Sequence, residues 1–165
     1  MSQVKKNIDF YETENQPEGS WYKETYRSDT NTYSKGLGER SLMTSIYFLL
    51  ESHQTSNFHV IKSDELWFYH SGSALTVDCT YPNGEYKTLR IGPESVSGQS
   101  FQALVPKGIF FGSTVDVKNS YSMVGCTASP DFDFNDPIAI GFNLFERQEL
   151  LTKHIQHHSI INKLT

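Results

Sequence analysis

The stretch Phe58-His59-Val60-Ile61-Lys62-Ser63-Asp64-Glu65-Leu66-Trp67-Phe68-Tyr69-His70-Ser71-Gly72 decides how the chain is read. It reads as two short strands joined at Lys62-Ser63-Asp64. Strand side chains alternate between faces, so His59 and Ile61 share one face of the first strand, and Glu65, Trp67 and Tyr69 share one face of the second. If that face looks into a barrel, an imidazole and a carboxylate meet in an aromatic-lined interior. If the pair is instead an amphipathic hairpin, Trp67 is core and His59 and Glu65 lie on its solvent side. Periodicity alone leaves both readings open.

On either side of this stretch the chain is strand-rich. Residues 21–27 alternate, setting Tyr22, Glu24 and Tyr26 against Trp21, Lys23, Thr25 and Arg27. Residues 29–39 are polar and carry Gly36 and Gly38, which predicts a loop or hairpin tip. Residues 41–50 form a strand with faces Ser45, Tyr47, Leu49 and Ile46, Phe48, Leu50; the first is expected inside, the second under a covering layer. Pro82-Asn83-Gly84-Glu85 is a turn, because Asn-Gly tolerates the positive φ of a tight hairpin, and it joins strands over 74–81 and 86–91. Three more strands are expected over 101–105, 109–115 and 121–127. Short strands with regular turns are the pattern of a sandwich or closed barrel. Residues 4–11 predict a short N-terminal helix. Leu150, Leu151, Ile155, Ile160, Ile161 and Leu164 follow a helical period, so helices are expected on the barrel's outside over about 142–165. His154, His157 and His158 read as a solvated helix face, with no carboxylate or cysteine at ligand spacing beside them.

Composition bounds the function classes. At 165 residues the chain is expected to be one domain, with a barrel core over about 17–141. A net charge of −5 without a basic run argues against a nucleic-acid partner. No apolar stretch approaches the roughly 18 residues a membrane span needs, and no signal segment opens the chain. Cys79 and Cys126 are read as reduced thiols, and the protein as cytoplasmic.

His59, five residues, Glu65, six residues, Gly72 resembles the first motif of the cupin superfamily. Gly98 leading to Pro106-Lys107-Gly108 resembles the second. The blocks from Pro17 to Ser28, Ser45-Ile46-Tyr47-Phe48-Leu49-Leu50, Ser63-Asp64-Glu65-Leu66-Trp67 and Gly125-Cys126-Thr127-Ala128 are similar to a family of short single-domain cupins with no assigned reaction. The fold implied is mostly β, a double-stranded β-helix (cupin jelly-roll barrel) with a short N-terminal helix and C-terminal helices. The resemblance also implies a homodimer.

Metal-binding cupins use two His and a Glu from the first motif and a His from the second. On this chain those positions hold His59, Ile61, Glu65 and Phe111. Two donors fall short of the three protein ligands that catalytic zinc keeps, and of the two-His-one-carboxylate iron site. No metal and no cofactor is therefore expected. The lining expected of the interior is Ser45, Tyr47, His59, Glu65, Trp67, Gln102 and Phe111, with Tyr69 and Arg27 as further ligand contacts. A buried carboxylate needs a partner, and His59 is the expected one for Glu65. Two functions fit: a module binding a small polar or sugar-like molecule, or a metal-independent sugar or sugar-nucleotide epimerase or isomerase. The second follows from the fold's likeness to the sugar-nucleotide 3,5-epimerases, with His59 as base, tuned by Glu65, and Tyr47 as acid. Pro130 to Phe134 is expected to close the pocket mouth on its two phenylalanines.

Overall fold

The computed structural model describes residues 3–15, 20–133, 136, 139–140 and 144–165. Pro17, Glu18 and Gly19 of the first family block and Phe134 of the expected closing loop lie outside these residues. Helix α1 (Gln3–Tyr11) leads into β1 (Glu14–Asn15), β2 (Trp21–Arg27), β3 (Asn31–Ser34), β4 (Gly38–Ser41) and β5 (Thr44–Glu51). Then come β6 (Ser56–Val60), β7 (Asp64–Gly72), β8 (Leu75–Thr80), β9 (Tyr86–Ile91), β10 (Gln102–Val105), β11 (Phe110–Val115), β12 (Tyr121–Ser129) and β13 (Ala139–Ile140). Helices α2 (Leu144–Lys153) and α3 (His158–Leu164) end the chain.

Six strands form one sheet in the order β1-β2-β5-β12-β7-β10, and five form a second in the order β13-β6-β11-β8-β9. Strands β3 and β4 make a separate ribbon where the sequence predicts a loop or hairpin tip. The two sheets face one another across a shared core. Phe48, Leu50, Trp67 and Val124 enter it from the first, and Ile61, Leu75, Val77 and Phe111 from the second. This is the mostly β jelly-roll arrangement the sequence implies, with the terminal helices in place. The Asn-Gly turn closes β8 onto β9: the Gly84 N–H donates to the Tyr81 carbonyl at 2.9 Å, with Gly84 at φ +83°.

Two features differ from the sequence reading and both position the site. First, β6 and β7 are not a hairpin. Strand β6 pairs with β11 and β13, and β7 pairs with β12 and β10. Residues 61–63 are thus the corner where the chain crosses from one sheet to the other. The second cupin-like turn pins this corner, since the Gly108 N–H donates to the Ile61 carbonyl at 2.9 Å and the Lys107 N–H to Asp64 Oδ1 at 2.9 Å.

Second, the faces of β5 are inverted. Phe48 and Leu50 belong to the inter-sheet core with Ile46 packed against it, whereas Tyr47 turns outward onto α1 with its ring 4.8 Å from Tyr11. The physical reason is legible afterwards: Ile46, Phe48 and Leu50 are uniformly apolar, while the opposite face carries a hydroxyl at both Ser45 and Tyr47. Helices α2 and α3 cover the other sheet, where Leu150, Leu151, Ile161 and Leu164 pack on Phe58. Among the described residues no helix is long and apolar enough to cross a membrane.

Candidate functional site

A cavity of about 70 Å³ opens between the two sheets; strand parity sets its β5, β7 and β12 walls, and irregular register between His59 and Ser56 on β6 and at Thr25 on β2 sets the others. From β6 and the corner come Ser56, His59 and Ile61; from β7 come Glu65 and Trp67; from β12, Cys126 and Ala128. Strand β5 contributes Thr44, Ile46 and Phe48, and β2 contributes Tyr22, Glu24 and Arg27. Phe132 completes the lining.

Arg27 reaches this wall because of a bulge. The β2–β5 register runs Glu24↔Ile46, then Tyr26↔Ser45 and Arg27↔Thr44, so Thr25 is the extra residue. A bulge shifts side-chain parity downstream of itself, which takes Arg27 off the Trp21 and Lys23 face and sets it beside Glu24. The guanidinium then holds Glu24 in a two-pronged contact, Nε to Oε1 at 3.0 Å and Nη2 to Oε2 at 2.8 Å. Its Nη1 donates to Asp131 Oδ2, and Nη2 also donates to the Phe132 carbonyl at 3.0 Å. The hydrogen bonding to Glu24 raises the Arg27 pKa above its already high ordinary value, against the opposing effect of burial. Asp131 is buried and sits between two arginines, with Arg40 Nη1 3.7 Å from its other oxygen. Phe132 is fixed further by its N–H, which donates to Thr44 Oγ1 at 3.1 Å.

At the floor, the Trp67 indole N–H donates to Glu65 Oε2 at 2.7 Å. Residues two apart on one strand face the same way, so this bond lies along the cavity wall and fixes the carboxylate. Trp67 itself is 2% exposed, with its ring against Phe48 and Phe111. His59 Nδ1 lies 2.8 Å from the Asn57 carbonyl. A carbonyl only accepts, so the proton sits on Nδ1 and the basic nitrogen of the neutral ring is Nε2. Cys126 forms part of the wall as a thiol, its pKa pushed well up by burial and further by the Glu65 charge.

The structure brings His59, Glu65, Trp67 and Arg27 of the expected set to one cavity, and it separates the others. Tyr47 lies on the outer face, its ring 5.7 Å from His70 as well as packed on Tyr11. Ser45 shares that outer face and accepts a bond from Thr127 Oγ1 at 3.2 Å. Both are corrections that follow from the inverted faces of β5. Gln102 is exposed: it pairs with Phe68, and its neighbour Ala103 takes the inward position opposite Trp67. Tyr69 packs against the core above the cavity, and its hydroxyl donates to the Gly72 carbonyl at 2.8 Å. Phe111 sits behind the wall with its ring 4.2 Å from His59. Trp67 gives Glu65 a donor that the sequence reading did not assign to it. Tyr22, Glu24, Ser56 and Thr44 were not picked out as lining. The apolar run Ile46, Phe48, Leu50 was the available signal, because choosing it as the inner face brings Tyr22 and Glu24 inward through the β2–β5 register.

A family model described as Cupin superfamily (DUF985) matches residues 5–138. This chain is a member of that family. Among solved structures, the cupin is similar to protein SO0799 from Shewanella oneidensis, at 37% identity and a TM-score of 0.84, covering 100% of this chain and 98% of that one. It is similar also to a hypothetical protein from Leishmania major, at 28% identity and a TM-score of 0.85, covering 99% of each chain. A variant of oxalate decarboxylase from Bacillus subtilis shares 11% identity with a TM-score of 0.57, over 94% of this chain and 38% of that one, a likeness of fold alone. No curated protein matches the chain.

Metal-binding members of the superfamily hold an ion with four side chains, and the residues present here do not fit that role. Ile61 lines the cavity beside His59, and Phe111 is the direct cross-strand neighbour of His59, so hydrocarbon stands at both positions where imidazoles would bind. Among the described residues no group of three or more His, Cys, Asp or Glu is arranged to hold a metal ion.

Proposed function

We propose that this cupin binds a small polar molecule in the cavity between its sheets, with His59 and Glu65 as the polar contacts and Trp67, Phe48 and Phe132 as the apolar walls. The observation that carries this reading is the fixed geometry at the floor. The indole of Trp67 orients the Glu65 carboxylate and the Asn57 carbonyl orients the His59 ring, so two polar groups of the lining are held in place by their neighbours. Preorganised polar groups in a mostly apolar concave site are what small-molecule sites share. The volume limits the guest. At about 70 Å³ the cavity is well below the roughly 300–1,000 Å³ of drug-sized pockets, so it admits a few-atom molecule or the head of a larger one reaching in past Phe132.

The epimerase alternative needs a base and an acid on opposite sides of one substrate. His59 lines the cavity from the second sheet, whereas Tyr47 points out of the first sheet onto α1, so that pair does not serve one cavity. Binding without turnover is the simpler reading of the residues that do converge. It is tested by thermal-shift screening of small polyols, amines and organic acids against the parent and His59→Gln. A ligand bound only by the folded state raises the melting temperature, and a hit lost in the variant supports the reading. No hit across the panel, or hits unaffected by substitution of both His59 and Glu65, refutes it. Cytoplasmic location and pairing of two copies belong to the same proposal. Sedimentation velocity giving a lone 18.8 kDa species would refute the pairing.

A further inference from the structure

How a guest enters the cavity is written in the contacts around Phe132, and this step rests on the cavity being a binding site. The lining is buried or half-buried except at Glu24 and Arg27, so the opening lies along their edge of β2. Phe132 stands at that opening: its carbonyl accepts from Arg27 Nη2 at 3.0 Å, and its N–H donates to Thr44 Oγ1 at 3.1 Å. The residue before it anchors the segment. The Asp131 N–H donates to the Ser41 carbonyl at 3.0 Å, at the end of β4, and the Asp131 carbonyl accepts from Ser63 Oγ at 3.4 Å, in the corner between the sheets. The Asp131 carboxylate is buried. Its Oδ2 accepts from Arg27 Nη1, whereas its Oδ1 accepts no hydrogen bond among the described residues. What faces Oδ1 is Arg40 Nη1 at 3.7 Å, a contact of charge alone.

Arg40 lies on β4, outside the cavity lining, with its side chain 12% exposed. Its Nη2 also donates to Asp136 Oδ1, and its Nη1 stands 3.7 Å from Asp133 Oδ2, so one guanidinium holds the segment that carries Phe132 at three points. Without Arg40, Asp131 Oδ1 would be left buried with neither a hydrogen bond nor a facing cation, which is a costly state. Arg27 is already shared among Glu24, Asp131 and the Phe132 carbonyl. Water would satisfy Oδ1 if the segment swung outward, and Phe132, the next residue, would move with it. We infer that Arg40 is a positioning residue of the cavity mouth: by pinning Asp131 it holds Phe132 at the opening and sets how readily a small molecule passes.

Access to the cavity floor can be read without a guest. The Trp67 indole N–H donates to Glu65 inside the cavity, so its exchange with deuterated solvent, followed in nitrogen–proton correlation spectra, tracks the population with an open mouth. The chain has two tryptophans. The Trp21 indole nitrogen is buried away from the cavity lining and reports general loosening, and Trp67→Phe assigns the peaks. Arg40→Gln is expected to speed exchange at Trp67 about tenfold, the scale of one lost contact between charged groups, and to leave Trp21 within about twofold. Phe132→Ala should speed Trp67 at least as much, and adding Arg40→Gln to it should bring no further increase, because Arg40 acts through the ring it holds. Arg40→Lys keeps the charge without the fork, so it should give a smaller increase in the same direction, and it serves if the Gln variant fails to fold. Unchanged exchange at Trp67 in the Arg40 variants, equal acceleration at Trp21, or increments that multiply in the double variant overturns the role of Arg40. Each of these leaves the binding reading standing, since thermal-shift screening tests that separately.

Discussion

Replacing Trp67 by Phe probes the bond on which the site geometry depends. Two effects add. Trp67 is 2% exposed, so losing its pyrrole ring leaves a void between Phe48 and Phe111, on the order of 1–2 kcal/mol for a partial truncation of a buried aromatic. The substitution also removes the N–H that donates to Glu65 Oε2 at 2.7 Å, and hydrogen bonds to charged groups contribute about 1.5–3 kcal/mol. The total is about 2.5–5 kcal/mol. For a chain of this length each kcal/mol lowers the melting temperature by roughly 2–4 °C. Urea denaturation of the parent, Trp67→Phe, Glu65→Leu and the double variant closes a thermodynamic cycle that removes the void from the comparison. The coupling between the two sites should be about 1.5–3 kcal/mol. A coupling within about 0.5 kcal/mol of zero would show that the indole does not hold the carboxylate, and the preorganisation argument would fail with it.

Other consequences can be checked separately. A Cβ at Gly72, which has φ +91°, would stand 2.2 Å from the Tyr121 carbonyl oxygen, so Gly72→Ala should destabilise by about 2–3 kcal/mol in denaturant titration; an unchanged midpoint contradicts the geometry. Burial pushes the Cys79 thiol up to about 12 from an ordinary 9.0 and raises Cys126 as well. Because the folded state holds these protons more tightly, their contribution to stability is complete below about pH 9 and is lost as pH climbs toward about 12. Both thiols should resist alkylation at about pH 8 until the chain unfolds, and rapid labelling of the native protein would count against this. Burial also raises the Asp78 carboxyl, partly offset by the hydrogen bond from Tyr86. The charged form therefore opposes folding above the ordinary carboxylate range. Asp78→Asn, which keeps an oxygen for Tyr86, should be at least as stable as the parent near neutral pH, with the difference closing in acid; a clear loss at neutral pH refutes the account.

The family-like blocks and turns exposed much of the fold before any coordinates. The strands, the Asn-Gly turn and the terminal helices follow from short-range patterns that the backbone obeys locally. The site was half legible. Glu65 and Trp67 share the cavity wall because alternation holds along the stretch of β7 before its register shifts near His70, and His59 enters from β6 beside them. Arg27 arrives by a different route, since a one-residue bulge at Thr25 reverses its face, and nothing in the residues 21–27 marks where such a bulge falls. Tyr47 and Ser45 were misplaced for another reason. When both faces of a strand carry large hydrophobic residues, parity says which residues go together and not which set goes in. The Ile46, Phe48, Leu50 set won because it has no hydroxyl to satisfy in a dry interior.

Because the chain changes sheets between His59 and Glu65, the gap separating imidazole from acid is not fixed by any one ladder of hydrogen bonds. It measures how far apart two independently paired layers stand. Loosening the packing that clamps those layers, even at Val77 or Val124 well away from the opening, would widen the grip on a guest without touching a single residue that contacts it. Affinity in this small barrel is thereby tied to the tightness of its whole interior.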